Sequence, residues 1–265
     1  ALGLEAAVLC FHRVAAGSDL RARDPGVPRR PAWHFAVALV RSPYLGGLAG
    51  YMLLYTITST FAYLEQARLV QAAVHGDAAR TALFARMDLA VNLASVVLQA
   101  TLTSLLLRRA GVTATLVVLP ALTLAGFAAL ALRPSLALIV AFQVARRTAD
   151  YFAARPAREL CFVVVGREEK YAAKSFIDTF VYRGGDALGA GAFGLVGAVA
   201  PVVALPLCAL WIAVALFVGA RQRRLAQPGR FASMLPSTWS DAIDVGSPSP
   251  APASAARPPP RARRS

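Results

Sequence analysis

The chain has 265 residues, of which 57% are hydrophobic, and its mean hydropathy is positive at +0.54. Soluble globular domains are about 45–50% apolar, so this composition favours a membrane protein. The formal net charge of +14 could indicate nucleic-acid binding, but the arginines lie in clusters between hydrophobic runs and form no aromatic-interleaved basic stripe. This distribution is typical of membrane topology and argues against DNA or RNA as a partner.

The first segment, ALGLEAAVLCF at residues 1–11, is apolar but has no basic residues ahead of it and no small-residue cleavage site behind it. It therefore does not fit a signal peptide. We expect residues 1–16 to be the end of a preceding transmembrane helix. Residues 17–41 are polar and contain prolines, and we expect them to form a cytoplasmic linker between two helical bundles.

Six long apolar runs follow, which we name spans A to F. A hydrocarbon core of about 30 Å requires about 20 residues at a rise of about 1.5 Å per residue, and each run is close to or above that length. The spans are residues 42–64 (A), 87–107 (B), 110–132 (C), 134–154 (D), 175–199 (E) and 201–220 (F). Together they predict an all-α, six-helix transmembrane bundle at residues 42–220.

Basic residues are concentrated on one side of this predicted bundle. The segments before A, between B and C, between D and E, and after F hold most of the chain's 28 Lys and Arg residues. The positive-inside tendency places these segments in the cytoplasm. We therefore expect an integral protein of a bacterial inner membrane, with a cytoplasmic linker and a cytoplasmic tail at residues 221–265. The end of the tail is rich in Pro, Ser and Ala, a composition typical of disorder.

The six spans differ in their polar residues. Spans C and F contain no charged residue, whereas the other four carry polar or ionisable side chains at helical spacing. An ionisable side chain within a bilayer almost always faces a bundle interior or a water-filled cavity. These residues are Tyr51, Tyr55, Thr58 and Glu65 (span A and its continuation), Asp88, Asn92, Ser95, Gln99 and Thr103 (span B), Arg146, Arg147 and Asp150 (span D), and Asp178, Arg183 and Asp186 (span E).

Taken in groups of three, the spans are polar, polar, apolar, and then polar, polar, apolar again. A three-plus-three repeat with four cavity-lining and two peripheral helices is similar to one half of a major facilitator superfamily transporter. The sequence thus predicts the six-helix C-terminal bundle of such a transporter. Its N-terminal half-bundle and the lipid bilayer would be its structural partners.

Several of the polar residues also have structural interpretations. Tyr55 could be an interfacial anchor or a solute contact, and Asn92 could hydrogen-bond a neighbouring helix without meeting a ligand. Arg146 and Asp150 lie one helical turn apart, so they could form a structural ion pair or a gate.

The charged residues of span E are the most costly to place within a membrane. Counted from Ser175, the helical rise places Arg183 about 12 Å and Asp186 about 16 Å along the helix, towards the membrane midplane. A charge there costs at least ~2.5–3.5 kcal/mol on insertion scales, so it requires a partner or a wet cavity. Asp178, Tyr182 and Asp186 follow one another at four-residue steps and share one face of the helix.

The segment RPARELCFVVVGREEKYAAKSFIDTFVYRGGDALGAG resembles the region of the tenth and eleventh helices in the ATP/ADP translocase family. These proteins are the nucleotide transporters of plastids and intracellular bacteria. The resemblance is specific to this segment and only architectural elsewhere. It rests on Arg158 and Glu159, the charged run at residues 167–170, Lys174, Ile177, Asp178, and Arg183 with its following glycines.

The resemblance implies a carrier that exchanges or takes up a nucleotide or a similar anion by alternating access. In that case Arg158, Lys174 and Arg183 would hold phosphate, or would act as gates against Glu159 and Asp178.

One position departs from the family pattern. The nucleotide exchangers usually place a lysine where this chain has Asp186. Where the lysine would produce a positive local field that binds phosphate, a carboxylate produces a negative one. This favours a divergent relative in which Asp186 pairs with Arg183 or takes up a proton.

Two alternatives remain open from the sequence. The chain could belong to a major facilitator transporter for an unrelated small organic ion or drug, or to a non-transporting membrane scaffold or sensor with a carrier fold. An enzyme is not expected, because His12, His34 and His75 are scattered and no Ser/His/Asp or metal-ligating constellation is present. The sequence also implies no cofactor.

Overall fold

The structure is a computed structural model that describes residues 42–165 and 173–226. All regular secondary structure in these two segments is helical, which confirms the expected all-helical class for the described part of the chain. The predicted end of a preceding helix at residues 1–16, the linker at residues 17–41 and most of the predicted tail lie outside the described residues.

Besides the helical residues 173–176, seven α-helices occur in the described segments. They are α1 (Pro43–Ala73), α2 (Asp77–Arg109), α3 (Gly111–Leu132), α4 (Leu136–Ala149), α5 (Arg155–Val163), α6 (Tyr182–Val196) and α7 (Ala200–Leu225). A π-helical turn, Asp150–Ala154, joins α4 to α5, and a second one, Ile177–Val181, precedes α6. A short 3₁₀ turn, Gly197–Val199, joins α6 to α7.

The ends of the helices follow from local sequence signals. Ser42 caps α1 by accepting a hydrogen bond from the Leu45 amide at 3.4 Å, and Ser135 caps α4 in the same manner. The turn after α6 depends on Gly197, whose φ of 53° lies in the left-handed region that favours glycine. The predicted spans therefore coincide with helices, although α1 and α2 extend well beyond spans A and B.

Three helical stretches are long and apolar enough to cross a membrane: Asp77–Arg109, Gly111–Leu132 and Ala173–Leu225. The last of these is interrupted at Gly197, which separates α6 from α7. Helix α1 is not among these stretches and contains several tyrosines and threonines, and α4 has only 14 residues before the π-helical turn begins. The polar residues of α1 and the π-helical turn that ends α4 thus distinguish these two helices from an ordinary lipid-facing helix.

Contacts with α1 give the directions of α6 and α7. Gly185 of α6 lies against Thr56, and Gly189 lies against Thr60, so α6 runs parallel to α1. In α7 the order is reversed, since Gly47 of α1 lies against residues 217 and 218 while Gly50 lies against residue 214. Helices α6 and α7 therefore run in opposite directions.

Helices α4 and α5 run antiparallel to α1. The Tyr44 hydroxyl near the start of α1 donates to the Cys161 carbonyl near the end of α5, at 2.7 Å. Towards the other end of α1, Gln143 donates to the side chain of Gln66 at 2.7 Å. Helix α1, the α4–α5 segment, α6 and α7 consequently alternate in direction along the chain.

Helix α1 lies at the centre of the bundle. It contributes to both buried apolar clusters, one around Tyr51 and Trp211 and the other around Phe61 and Phe127. The rings of Tyr51 and Trp211 lie 5.4 Å apart. Helix α2 is peripheral by comparison and leaves large apolar side chains exposed, namely Leu89, Leu93, Val96 and Val97.

Candidate functional site

Asp150 is the centre of a buried polar cluster between α1 and the α4–α5 segment. Its carboxylate is 2.9 Å from Arg155 Nε and 3.5 Å from an Nη of Arg158, and it accepts a hydrogen bond from the Tyr55 hydroxyl at 3.3 Å. The Asp150 side chain is 7% exposed, whereas that of Arg155 is 51% exposed. We name Tyr55, Arg146, Asp150, Arg155 and Arg158 the arginine cluster.

The π-helical turn brings Asp150 and Arg155 together. In an α-helix, residues four apart are neighbours, but the wider turn pairs residues five apart. The Arg155 amide donates to the Asp150 carbonyl, which is the hydrogen bond of a π-helix. Pro156 follows at the start of α5, and proline can donate no hydrogen bond to the preceding turn.

The wide turn and Pro156 leave two backbone carbonyls without their usual donors. The Tyr151 carbonyl loses the Arg155 amide, and the Phe152 carbonyl faces Pro156. Gln99 donates to the first at 3.2 Å, and the Thr103 hydroxyl donates to the second at 2.7 Å. Backbone groups need such partners in a membrane, so this part of the α2 stripe has a structural function.

Arg146 lies deeper than the rest of the arginine cluster. It is 5% exposed, donates to the Ser59 hydroxyl, and has its guanidinium carbon 5.7 Å from the centre of the Tyr55 ring. Its Nε has no hydrogen-bond partner in the described part of the chain. The ion pair between Arg146 and Asp150 considered from their spacing is not formed, because the carboxylate turns towards Arg155 and Arg158 instead.

The arginine cluster holds three guanidinium groups and one carboxylate. Arg158 lies 5.1 Å from the Tyr55 ring centre and 2.8 Å from the sulfur of Met52, with 15% of its side chain exposed. The Tyr55 ring thus contacts both Arg146 and Arg158. A surplus of cations in a poorly hydrated region produces a positive potential, which attracts anions.

The charged residues of span E are arranged differently from the pairing considered from the sequence. Asp186 accepts a hydrogen bond from the Thr60 hydroxyl at 3.0 Å, and the structure records no ion pair between it and Arg183. Arg183 and Asp178 are exposed, the latter within the second π-helical turn. Tyr182 lies beside the arginine cluster, with its ring centre 6.4 Å from that of Tyr55.

Glu159 and Lys174 form an ion pair at 2.7 Å. It links α5 to the helical start of the next segment, on either side of residues 166–172, which are not among the described residues. Both side chains are well exposed, so the pair itself contributes only about 0–1 kcal/mol of stability.

Asn92 lies apart from the other sequence-predicted site residues. It is exposed on α2, and the structure records no hydrogen bond from its side chain. On the same stripe, Asp88 pairs with Arg147 of α4 at 2.6 Å. The stripe on α2 therefore faces α4 and stabilises it, and only Asn92 and Ser95 are without a recorded partner there.

Some residues of the site were missed from the sequence. Helical spacing in the sequence indicates neither Arg155 nor Ser59 as a site residue. Arg155 follows Asp150 by five residues and directly precedes Pro156. This pattern indicates a π-helical turn, which would bring Arg155 next to Asp150. Glu65 is fully buried and accepts two hydrogen bonds from Arg68, at 2.6 and 2.9 Å.

An apolar groove of about 650 Å³ lies between α2, α3 and α4. Its lining is almost entirely aliphatic, so it does not extend the arginine cluster. Among the described residues, no three His, Cys, Asp or Glu side chains are placed to hold a metal ion.

Comparisons with known protein families, characterised proteins and solved structures found no match to this chain.

Proposed function

We propose that this chain is the C-terminal half of a secondary transporter that moves an anionic solute across a membrane by alternating access. The observation that carries the proposal is the arginine cluster, in which Asp150 pairs with two arginines and the buried Arg146 contacts the same Tyr55 that donates to Asp150. Buried ionisable groups in membrane proteins are costly, and they mark ion or substrate pathways. A scaffold or a sensor has no need of such a cluster.

The proposed architecture is the six-helix half of a major facilitator superfamily carrier. The alternating helix directions, the polar character of α1 and α4, and the apolar character of α3 and α7 all support it. In this arrangement the arginine cluster faces a solute path shared with an N-terminal half-bundle, and the two halves rock about the bound solute.

A nucleotide-like anion is the substrate class that we propose. The support is the resemblance of residues 155–191 to the ATP/ADP translocase family, and the chemistry of the cluster agrees with it. Arginine forks bind phosphate in a bidentate manner, and Tyr55 and Tyr182 offer aromatic surface beside them. Asp186, which stands where the exchangers have a lysine, favours a solute other than ATP and ADP within this class.

A carrier for an unrelated small organic ion is the second candidate, and Asp186 is the observation that favours it. Its recorded partner is the hydroxyl of Thr60, and no cation pairs with it among the described residues. A carboxylate in that environment could carry a proton during transport.

Uptake by proteoliposomes containing the full-length protein tests the proposal. The panel consists of labelled ATP, labelled ADP, several organic anions and several organic cations. We expect saturable uptake of at least one anion. Saturable uptake of cations alone would favour the second candidate, and no saturable uptake of any nucleotide would remove the nucleotide assignment.

A further inference from the structure

We propose that Asp150 is an internal counter-ion that occupies the anion-binding arginines when the carrier is empty and leaves them when the solute binds. This inference rests on the proposed transport function. It explains why a site that binds an anion also contains a carboxylate. In this inference, Asp150 allows the empty carrier to return to its starting state.

The geometry of Asp150 resembles that of a bound anion. Its two oxygens meet Arg155 Nε at 2.9 Å and Arg158 Nη at 3.5 Å, and Tyr55 donates a further hydrogen bond at 3.3 Å. A carboxylate or phosphate group of a solute would use the same donors. The long distance to Arg158 and the exposure of Arg155 leave both guanidinium groups able to change partners.

The charge count gives the physical reason for the exchange of partners. Arg146 has no carboxylate partner among the described residues, so the cluster with Asp150 in place still carries a positive surplus. An anion entering the cluster therefore gains from Arg146 and Arg158 even while it displaces Asp150. Without the solute, Asp150 limits the uncompensated charge that the bundle has to carry between its inward-facing and outward-facing states.

Comparing two modes of transport distinguishes a counter-ion function of Asp150 from simple solute binding. In exchange, the carrier changes state only with solute bound, so an internal counter-ion is unnecessary. In net uptake, the empty carrier has to return, and its arginines then need Asp150. Removing the carboxylate should therefore abolish net uptake and preserve exchange.

The test uses Asp150→Asn in the full-length protein, reconstituted into proteoliposomes, with labelled ADP and labelled orthophosphate as probes. Net uptake is measured into empty liposomes, and exchange is measured into liposomes preloaded with the same unlabelled anion. For Asp150→Asn we expect net uptake to fall about 100-fold, the factor that corresponds to moving one unpaired arginine through the bundle. Exchange should stay within about twofold of wild type, with a lower KM because the competing carboxylate is gone.

Asp77→Asn is the matched control, since Asp77 is a fully exposed carboxylate at the start of α2 whose recorded ion pair is with Arg80. Its net uptake and exchange should both equal those of the wild type. Equal losses of both modes in Asp150→Asn, or no loss of either, would overturn the inference. If the wild type transports neither probe nor any other anion, the proposed function itself fails, which is a different result.

Stability provides a second measurement that needs no transport. In detergent, Asp150→Asn should melt at a lower temperature than wild type, because the largely buried Arg158 and the half-exposed Arg155 lose their partner. ADP should then raise the melting temperature more in the variant than in the wild type, since the added anion replaces the lost carboxylate. An equal or smaller ADP-induced rise in the variant would contradict the inference. If Asp150→Asn does not fold, Arg158→Gln should raise the KM for exchange and leave the ratio of net uptake to exchange unchanged, and a change in that ratio would overturn the inference.

Discussion

At the scale of single residues, the chain buries charges whose partners differ from those that helical spacing indicates. Arg146 and Asp150 are one turn apart in the sequence, yet Asp150 pairs with Arg155 and Arg158. The π-helical turn changes which side chains are neighbours, and spacing rules that assume 3.6 residues per turn fail there.

Arg183 is the residue whose substitution should most clearly impair transport without changing stability. It is exposed on α6, so Arg183→Ala should leave the melting temperature and membrane insertion unchanged. If Arg183 faces the solute path, as we propose, the variant should lose uptake of the transported anion.

Arg86→Ala is the matched control, because Arg86 is an exposed arginine on α2 without a recorded ion pair. It should transport at the wild-type rate. A wild-type rate for Arg183→Ala as well would show that Arg183 contacts lipid or has only a structural function.

At the scale of elements, prolines and the π-helical turn create carbonyl groups that neighbouring helices satisfy. Pro120 cannot donate to the Leu116 carbonyl, and the Tyr51 hydroxyl donates to it at 3.2 Å. Thr103 does the same for Phe152. Such bonds fix the position of one helix against another, and they explain several polar residues that a sequence alone could assign to a solute.

Thr103→Val tests this explanation, since the substitution keeps the shape of the side chain and removes its hydroxyl donor. The Phe152 carbonyl would lose its partner, and the variant should be destabilised by about 1 kcal/mol. Thr101→Val is the control, because Thr101 is exposed and bonds only to its own helix at Val97. Equal melting temperatures for the two variants would show that the bond to Phe152 contributes nothing.

Glycines of α6 determine how closely this helix approaches α1. A Cβ atom on Gly189 would lie 2.9 Å from the Thr60 Cβ and 3.2 Å from the backbone of Ile57, whereas one on Gly191 would meet nothing within 4 Å. Gly189→Ala should therefore cost about 1–3 kcal/mol through overpacking.

Gly191→Ala should instead stabilise the protein by about 0.5–1 kcal/mol, because alanine is the better helix former. Thermal unfolding in detergent measures both variants. The packing of α6 on α1 would be wrong if Gly189→Ala proved as stable as Gly191→Ala.

The sequence predicted the helices well and their pairing poorly. The helices could be predicted from the apolar runs, because a run of about 20 residues is long enough to cross a bilayer as a helix. The candidate residues Tyr55, Arg146, Asp150 and Arg158 do meet in one cluster. The partners of Asp186 and Asp150 could not be predicted, because they depend on which helices are neighbours and on the extra residue in the π-helical turn.

At the scale of the whole molecule, α2 and α7 both run antiparallel to α1, which places the arginines at their C-terminal ends on one side of the described bundle. Cysteine labelling tests the predicted orientation in a variant whose three native cysteines are replaced. Asp77→Cys, at the start of α2, should react with a membrane-impermeant maleimide added outside cells. Arg109→Cys, at the end of α2, should react only after the membrane is permeabilised. The reverse pattern would invert the topology.

The central claim is that the buried arginines line a path for an anionic solute. The most direct test compares uptake of labelled ADP and the organic-anion panel by wild type and Arg146→Met, reconstituted in equal amounts of folded protein. Methionine fills a similar volume without a charge, so the variant should fold at least as stably. We predict saturable anion uptake by the wild type and at least about a 100-fold loss in Arg146→Met, the effect of removing one buried charge contact. Equal uptake by the two proteins, or no anion uptake by the wild type, would contradict the claim.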